Sequence, residues 1–383
     1  MPPPPHRPGV LAWQVFRGSD AIRQGLVTEH QLRSSAWLRL RHDVYADARL
    51  DRDHALACRA AALRLPPEAV VAGPSAAYLH GVEHAASFVD DVHVLVPRAM
   101  RLGPQRGLRV HSTGPHRQPA GAGGGPHPTL RTPAEGGGTA APATAGWDPA
   151  VCAPAGGRDT AVPVPAGGGE VAVVPPGGGL RTALRAPADG RGIAVRPVPA
   201  GLRVADLRTA GVPVSTDPTS AAWETAVWLE PLRAVGIVDS LLRQGLTSRA
   251  ALADVAARNA DRPGGRRARW VFGLADPGAR SPAESELRVR LVLAGLPRPA
   301  VRHPVRVAAG LVVHADLAWS AYRVAVAQDG RHAEADGGHL DRIARLVGAG
   351  WLVLPVTGRR LRHDFPGVLR EARAALGARG WRP

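Results

Sequence analysis

Apolar residues follow three regimes along this chain. From residue 13 to about 112, and again from about 204 onward, they fall at alternating or helical spacing, whereas residues 114–201 keep neither period. In the first regime Ser19 is placed to cap a short helix over residues 20–24, which Gly25 stops. Thr28-Glu29-His30-Gln31 has capping-box spacing and predicts a second helix to about Ser35. Trp37-Leu38-Arg39-Leu40-Arg41 alternates as a strand and leads into Val44-Tyr45-Ala46. An Ala-rich helix over 54–65 ends at Pro66-Pro67, Val70-Val71 open a strand and turn before a helix through Leu79 and His80, and strands follow at 92–96 and 108–110.

Beyond the middle stretch, Pro218-Thr219-Ser220 opens a helix to Leu229, residues 231–244 form another that ends at Gly245, and Leu246-Thr247-Ser248-Arg249 begins a third through Asn259. Residues 262–269 read as a basic loop, able to lie along a phosphate backbone or simply be solvated. Ser281 caps a helix over 282–293, after which strands at 303–307, 311–317 and 323–328, a helix at 338–346, a strand at 351–356 and a helix at 365–376 complete the pattern. The fold class is α/β in four segments. An N-terminal winged-helix-like α+β domain (13–112) precedes a disordered Gly/Pro-rich segment (113–203). A helical bridge (204–272) then leads to a C-terminal α/β domain with a mixed sheet (280–378).

Composition changes the picture in the middle and in the charge. Residues 114–201 are dominated by Gly, Pro, Ala and Arg, with four Gly triplets, a composition too poor in bulky apolar residues to offset ordering entropy. No triplet is followed by Gly-Lys-Ser/Thr, which excludes a phosphate-binding loop. A flexible linker and out-of-frame translation of GC-rich DNA both fit. All 48 of the Lys+Arg residues are arginine, which itself reflects GC-rich coding, yet a net charge of +16 still draws polyanions and makes nucleic acid the expected partner. Cys58 and Cys152 are too far apart in pattern for a disulfide framework or metal knuckle and suit a reducing cytoplasm. No apolar run reaches membrane-spanning length, the Pro-rich start does not read as a signal peptide, and no membrane partner is expected.

Candidate chemistry concentrates in residues 311–332. Asp316 ends one apolar strand, Asp329 ends the next, and His332 follows. Carboxylates at adjacent strand ends suit a divalent metal held beside a phosphodiester, and a surface hairpin with solvated acids is the alternative. His314, Asp316, His332 and His339 could also form a zinc set, if two strands and a loop converge. His80 and His84 lack a third ligand and read as core or surface histidines.

Ordered landmarks carry a resemblance over residues 281–376: Ser281-Pro282-Ala283-Glu284, Ala294-Gly295-Leu296-Pro297, His314-Ala315-Asp316-Leu317-Ala318-Trp319, Val324-Ala325-Val326, Asp329-Gly330 and Ala349-Gly350-Trp351-Leu352-Val353. This region resembles the C-terminal domain of a group of actinobacterial proteins in the restriction-endonuclease-like PD-(D/E)XK superfamily, near the very-short-patch repair endonucleases. The resemblance implies a magnesium-dependent DNA endonuclease, with Asp316 and Asp329 as metal ligands, Glu284 assisting and His332 positioning water or phosphate. The chain departs from that pattern where the family has Val-Glu-Tyr-Asp-Gly-x-x-His. Ala327 replaces the glutamate and the interval to His332 is one residue short, so a carboxylate is missing from the expected metal side.

Near the other end, Gly25-Leu26-Val27-Thr28, Gln31-Leu32 and Arg41-His42-Asp43-Val44-Tyr45 resemble the N-terminal domain of AbiEi-type antitoxins. Helix, turn, capped helix and basic strand is the plan of a winged helix-turn-helix, in which His30, Arg33 and Ser34 would face a major groove and Arg39 and Arg41 would touch phosphates. The resemblance implies a transcriptional regulator with a cognate toxin as partner, and an antitoxin-like regulator that keeps a catalytically silent nuclease fold is the alternative to the endonuclease. The choice between DNA and RNA and the oligomeric state stay open.

Overall fold

The computed structural model describes residues 6–100, 102–113, 213–307, 310–329 and 338–382. The stretch read as linker or frame error, residues 114–201, lies outside them, as do His332 and Cys152. Among the described residues the chain is mixed α/β, with two three-stranded sheets and one four-stranded mixed sheet.

The first sheet joins β1 (Val15–Arg17), β2 (Trp37–Arg41) and β3 (Val44–Asp47) in the antiparallel order β1-β3-β2. The helix α1 (Gly18–Arg23) begins two residues before the expected start. Ser19 does not cap it. Asp43, at φ +59° in the β2–β3 turn, accepts from the Ser19 N–H and hydroxyl at 2.7 Å each and so caps α1 from the hairpin. The second expected helix is corrected to a single 3-10 turn, Gln31–Arg33. Its capping box is complete, with Gln31 N–H on Thr28 Oγ1 at 3.2 Å and Thr28 N–H on Gln31 Oε1 at 2.8 Å. Ser34 ends it by donating to the Gln31 carbonyl, and Ala36 and Trp37 are already buried as the next strand begins.

The second sheet holds β4 (Val70–Val71), β5 (Val92–Val96) and β6 (Leu108–Ser112), flanked by α2 (His54–Ala62) and α3 (Gly73–Leu79). Four helices follow: α4 (Pro218–Trp228), α5 (Pro231–Arg243), α6 (Arg249–Arg258) and α7 (Gly265–Leu274). Asp217, Glu230 and Ser248 cap the first three. The basic loop expected at 262–269 is corrected, because most of it is the first half of α7. Ala268 and Val271 are fully buried at helical spacing, so the arginines between them ride on a packed helix.

α3 and these helices share one core in which Ala77, Val82 and Ala85 pack with Ala222, Ala226, Ile237 and Val238. Gly73 is where they touch most closely. Its φ is +54°, a Cβ would stand 2.7 Å from the Trp228 ring, and its N–H donates to buried Glu224 at 2.7 Å.

The C-terminal sheet runs β10-β9-β8-β7, from β7 (Ala300–Arg306), β8 (Val312–Trp319), β9 (Val324–Asp329) and β10 (Leu352–Thr357). β9 and β10 are parallel and the other pairs antiparallel. The helices α8 (Pro282–Leu293), α9 (Gly338–Gly348), α10 (Gly358–His363) and α11 (Phe365–Ala378) surround it. Leu317, Trp319, Val324 and Val326 pack with α8 and α11 on one side, and Val313, Ala315 and Ala325 pack with Leu346 of α9 on the other. The side-chain alternation of β8 therefore breaks at Asp316.

Candidate functional site

Asp316 stands where two strands part. Backbone pairing of β8 with β9 stops at Leu317 opposite Val326, so the next amides of β9 lack a strand partner on that side. The Asp316 side chain supplies one, accepting from the Gln328 N–H at 2.8 Å through Oδ2. Arg342 on α9 fills the rest of the carboxylate, with Nη1 on Oδ1 at 2.6 Å and Nη2 on Oδ2 at 2.9 Å. This is a bidentate fork, the strongest geometry an arginine offers a carboxylate. His339, one turn earlier, lies 3.3 Å from the same guanidinium through Nδ1.

Glu284 reaches the site from the start of α8. Ser281 caps that helix as expected, receiving the Glu284 N–H at 3.2 Å. The Glu284 carboxylate turns back to accept the Arg280 N–H at 2.8 Å. Burial pushes its pKa up, and the negative charge of Asp316 pushes it the same way. Glu284 is thus close enough to Asp316 for the two carboxylates to repel.

The other expected members are placed less favourably. Ala327 is buried at 1 % exposure and offers a methyl group where the resembling family has glutamate. Asp329 is paired through its backbone opposite Thr357, and neither its side chain nor His332 belongs to what is described. His314 is exposed, and among the described residues no three His, Cys, Asp or Glu side chains converge as metal ligands. Among the described residues, a carboxylate already forked by arginine, a carboxyl bonded to a backbone N–H and an alanine make a poor donor set for magnesium. The Gln328 amide adds one unusual atom, since its Oε1 is buried without a hydrogen-bond partner among the described residues. Arg342 is the residue that sequence reasoning missed. Nothing in its helical position signals a partner twenty-six residues away.

At the N-terminal candidate surface, His30 and Arg33 are exposed around the 3-10 turn and Arg39 is exposed on β2. Ser34 is half-buried with its hydroxyl committed to the Gln31 carbonyl. Arg41 is engaged internally, donating to the carbonyls of Arg106 at 3.0 Å and Gly107 at 2.7 Å. His80 and His84 bond backbone carbonyls of Thr216 and Gly236.

A polar cleft of about 350 Å³ opens between β5–β6 and the α4–α5 junction. In it His93 Nδ1 lies 3.1 Å from His111 Nε2, and His111 stacks on Trp228 at 3.5 Å. Burial, with the two rings' mutual repulsion and Arg109 nearby, lowers the His93 pKa to about 3, and burial and Arg109 lower that of His111 to about 4, so both rings are neutral at physiological pH.

No family model matches the chain, and no solved structure matches it. Two uncharacterised proteins of Mycobacterium tuberculosis, one from strain H37Rv and one from strain CDC 1551 / Oshkosh, are each 29% identical over 160 residues. The match covers 41% of this chain and 59% of each relative's length.

Proposed function

We propose that this chain is a nucleic-acid-binding protein whose C-terminal domain has a nuclease-like, restriction-endonuclease-related fold that does not cleave. The observation that supports this reading is the closed environment of Asp316, whose two oxygens are taken by the Arg342 guanidinium and the Gln328 N–H. The Arg342 guanidinium takes up a carboxylate that a catalytic metal would need as a ligand. Magnesium would have to displace that fork to reach Asp316 and polarise a phosphate. The net charge of +16, with exposed Arg33 and Arg39 on the N-terminal turn and hairpin, supports binding of a polyanion, in keeping with a winged-helix, antitoxin-like regulator acting on DNA.

Metal-dependent DNA cleavage is the second reading. It draws on Glu284, whose pKa is raised by burial and by the charge of Asp316. Plasmid cleavage with magnesium or manganese separates the two, using Asp316→Ala as the blank. The expected outcome is no cleavage by the native chain, and none by Ala327→Glu alone because Arg342 still holds Asp316. Cleavage by the native chain that disappears in the blank would establish the enzyme reading instead.

A further inference from the structure

The carboxyl ends of β9 and β10 lie side by side, because Asp329 is opposite Thr357 in the parallel register. In open α/β sheets ligands meet the protein outside such ends, where loops and helix starts converge. α10 begins there, directly after Thr357, whose Oγ1 accepts the Arg360 N–H at 3.2 Å. Its sequence is Gly358-Arg359-Arg360-Leu361-Arg362-His363, and only Leu361 is buried in the core.

The three arginines are not equivalent. Arg360 is neutralised by Glu371, at 2.6 Å, with Asp364 at 3.7 Å. That pairing uses the acidic groups next to the helix. Arg359 and Arg362 are exposed and form no hydrogen bond or ion pair among the described residues. Arg362 folds back toward the strand end, since a Cβ on Gly358 would lie 3.5 Å from its Nη1. Exposed guanidiniums without counter-charge add to the positive field that draws a polyanion.

We infer that α10 is a docking surface for the phosphodiester backbone of a nucleic acid, with Arg359 and Arg362 each neutralising a phosphate. Residues at i and i+3 are neighbours on a helix surface, so one strand can engage both. A protein partner would need aromatic or apolar anchors, and α10 turns its one apolar side chain inward. This surface rests on the nucleic-acid reading above and adds to it a second contact region, remote in sequence from the N-terminal arginines.

The test is fluorescence anisotropy of labelled duplex and single-stranded DNA against the full chain over a range of salt concentrations. Arg359→Ala/Arg362→Ala is compared with the native chain and with Arg33→Ala/Arg39→Ala, each checked for an unchanged melting curve. Each lost phosphate contact on duplex removes about 0.9 from the slope of log K against log salt, so the α10 double variant is expected to flatten it by about 2 and to bind at least roughly tenfold more weakly at low salt. Native binding with an unchanged slope in that variant would overturn the α10 surface while leaving nucleic-acid binding intact. Absence of binding by the native chain to either DNA would overturn the broader reading and this surface with it.

Discussion

Glu224 is a carboxylic acid buried to 7 % exposure. Burial raises its pKa from 4.5 to about 7, although its Oε2 accepts from the Gly73 N–H at 2.7 Å and the Thr216 hydroxyl at 2.9 Å. Between pH 4.5 and about 7 the unfolded chain has released this proton and the folded chain still holds it. Folding therefore takes up a proton in that window, and stability falls as pH rises, by up to about 3 kcal/mol at one pH unit per 1.4 kcal/mol. Glu224→Gln keeps the shape and an acceptor oxygen without the charge. Its urea midpoint is expected to match the native chain near pH 5 and to exceed it at pH 8. A pH-independent difference between the two would show that Glu224 is already ionised in the fold. Residue identity alone does not reveal this, because the sequence shows Glu224 only as one polar position in an apolar helix. The same limit explains Arg342, whose role depends on a strand brought to it by the sheet. The Ser281 cap was legible, since caps are encoded by their immediate neighbours, whereas Asp316 lies inside β8 rather than at the strand end that the apolar run suggested.

At the scale of elements, α5 and α8 are joined by ions rather than by apolar contact alone. Arg288 and Asp239 pair at 2.7 Å with 1 % exposure each, and Asp239 also accepts from the Ser285 hydroxyl at 2.7 Å and the Asp276 N–H at 2.6 Å. Arg288 adds a bond to the Leu274 carbonyl. Burial raises the Asp239 pKa despite the nearby guanidinium, so the pair carries a desolvation cost. Removing one partner leaves the other buried and unpaired. Asp239→Leu or Arg288→Met alone is expected to lower stability by about 3–5 kcal/mol, and the double variant to recover most of it. Additive losses in that cycle, read from denaturant midpoints, would mean the pair is incidental. Helix α8 could be placed from sequence through its Ser-Pro start, whereas α7 was hidden by four arginines in Gly265–Leu274 and its flank that masked Ala268 and Val271. The 3-10 turn at Gln31–Arg33 shows the converse, a helix signal overridden because Ala36 and Trp37 are needed in the core.

At the scale of the molecule, the boundary drawn from sequence between the helical bridge and residues 280–378 is crossed by this ionic network and by a shared core. Val289 of α8 is fully buried in the cluster that holds Ile237, Leu241 and Val271, while Leu287 and Leu291 on the same helix belong to the core of the C-terminal sheet. One helix thus seals two cores. A chain cut at residue 280 would expose Val289 and leave the Arg288 guanidinium in an apolar surface without Asp239, an arrangement that costs several kcal/mol against a typical domain stability of about 5–15 kcal/mol. Residues 280–383 expressed alone are therefore expected to lack a cooperative thermal transition, and to gain one when residues 1–279 are supplied in trans. Circular dichroism melts of the fragment, with and without its complement, measure this directly. A sharp, concentration-independent transition in the isolated fragment would mean that the C-terminal sheet is a self-sufficient domain and that α8 needs only one of its two cores.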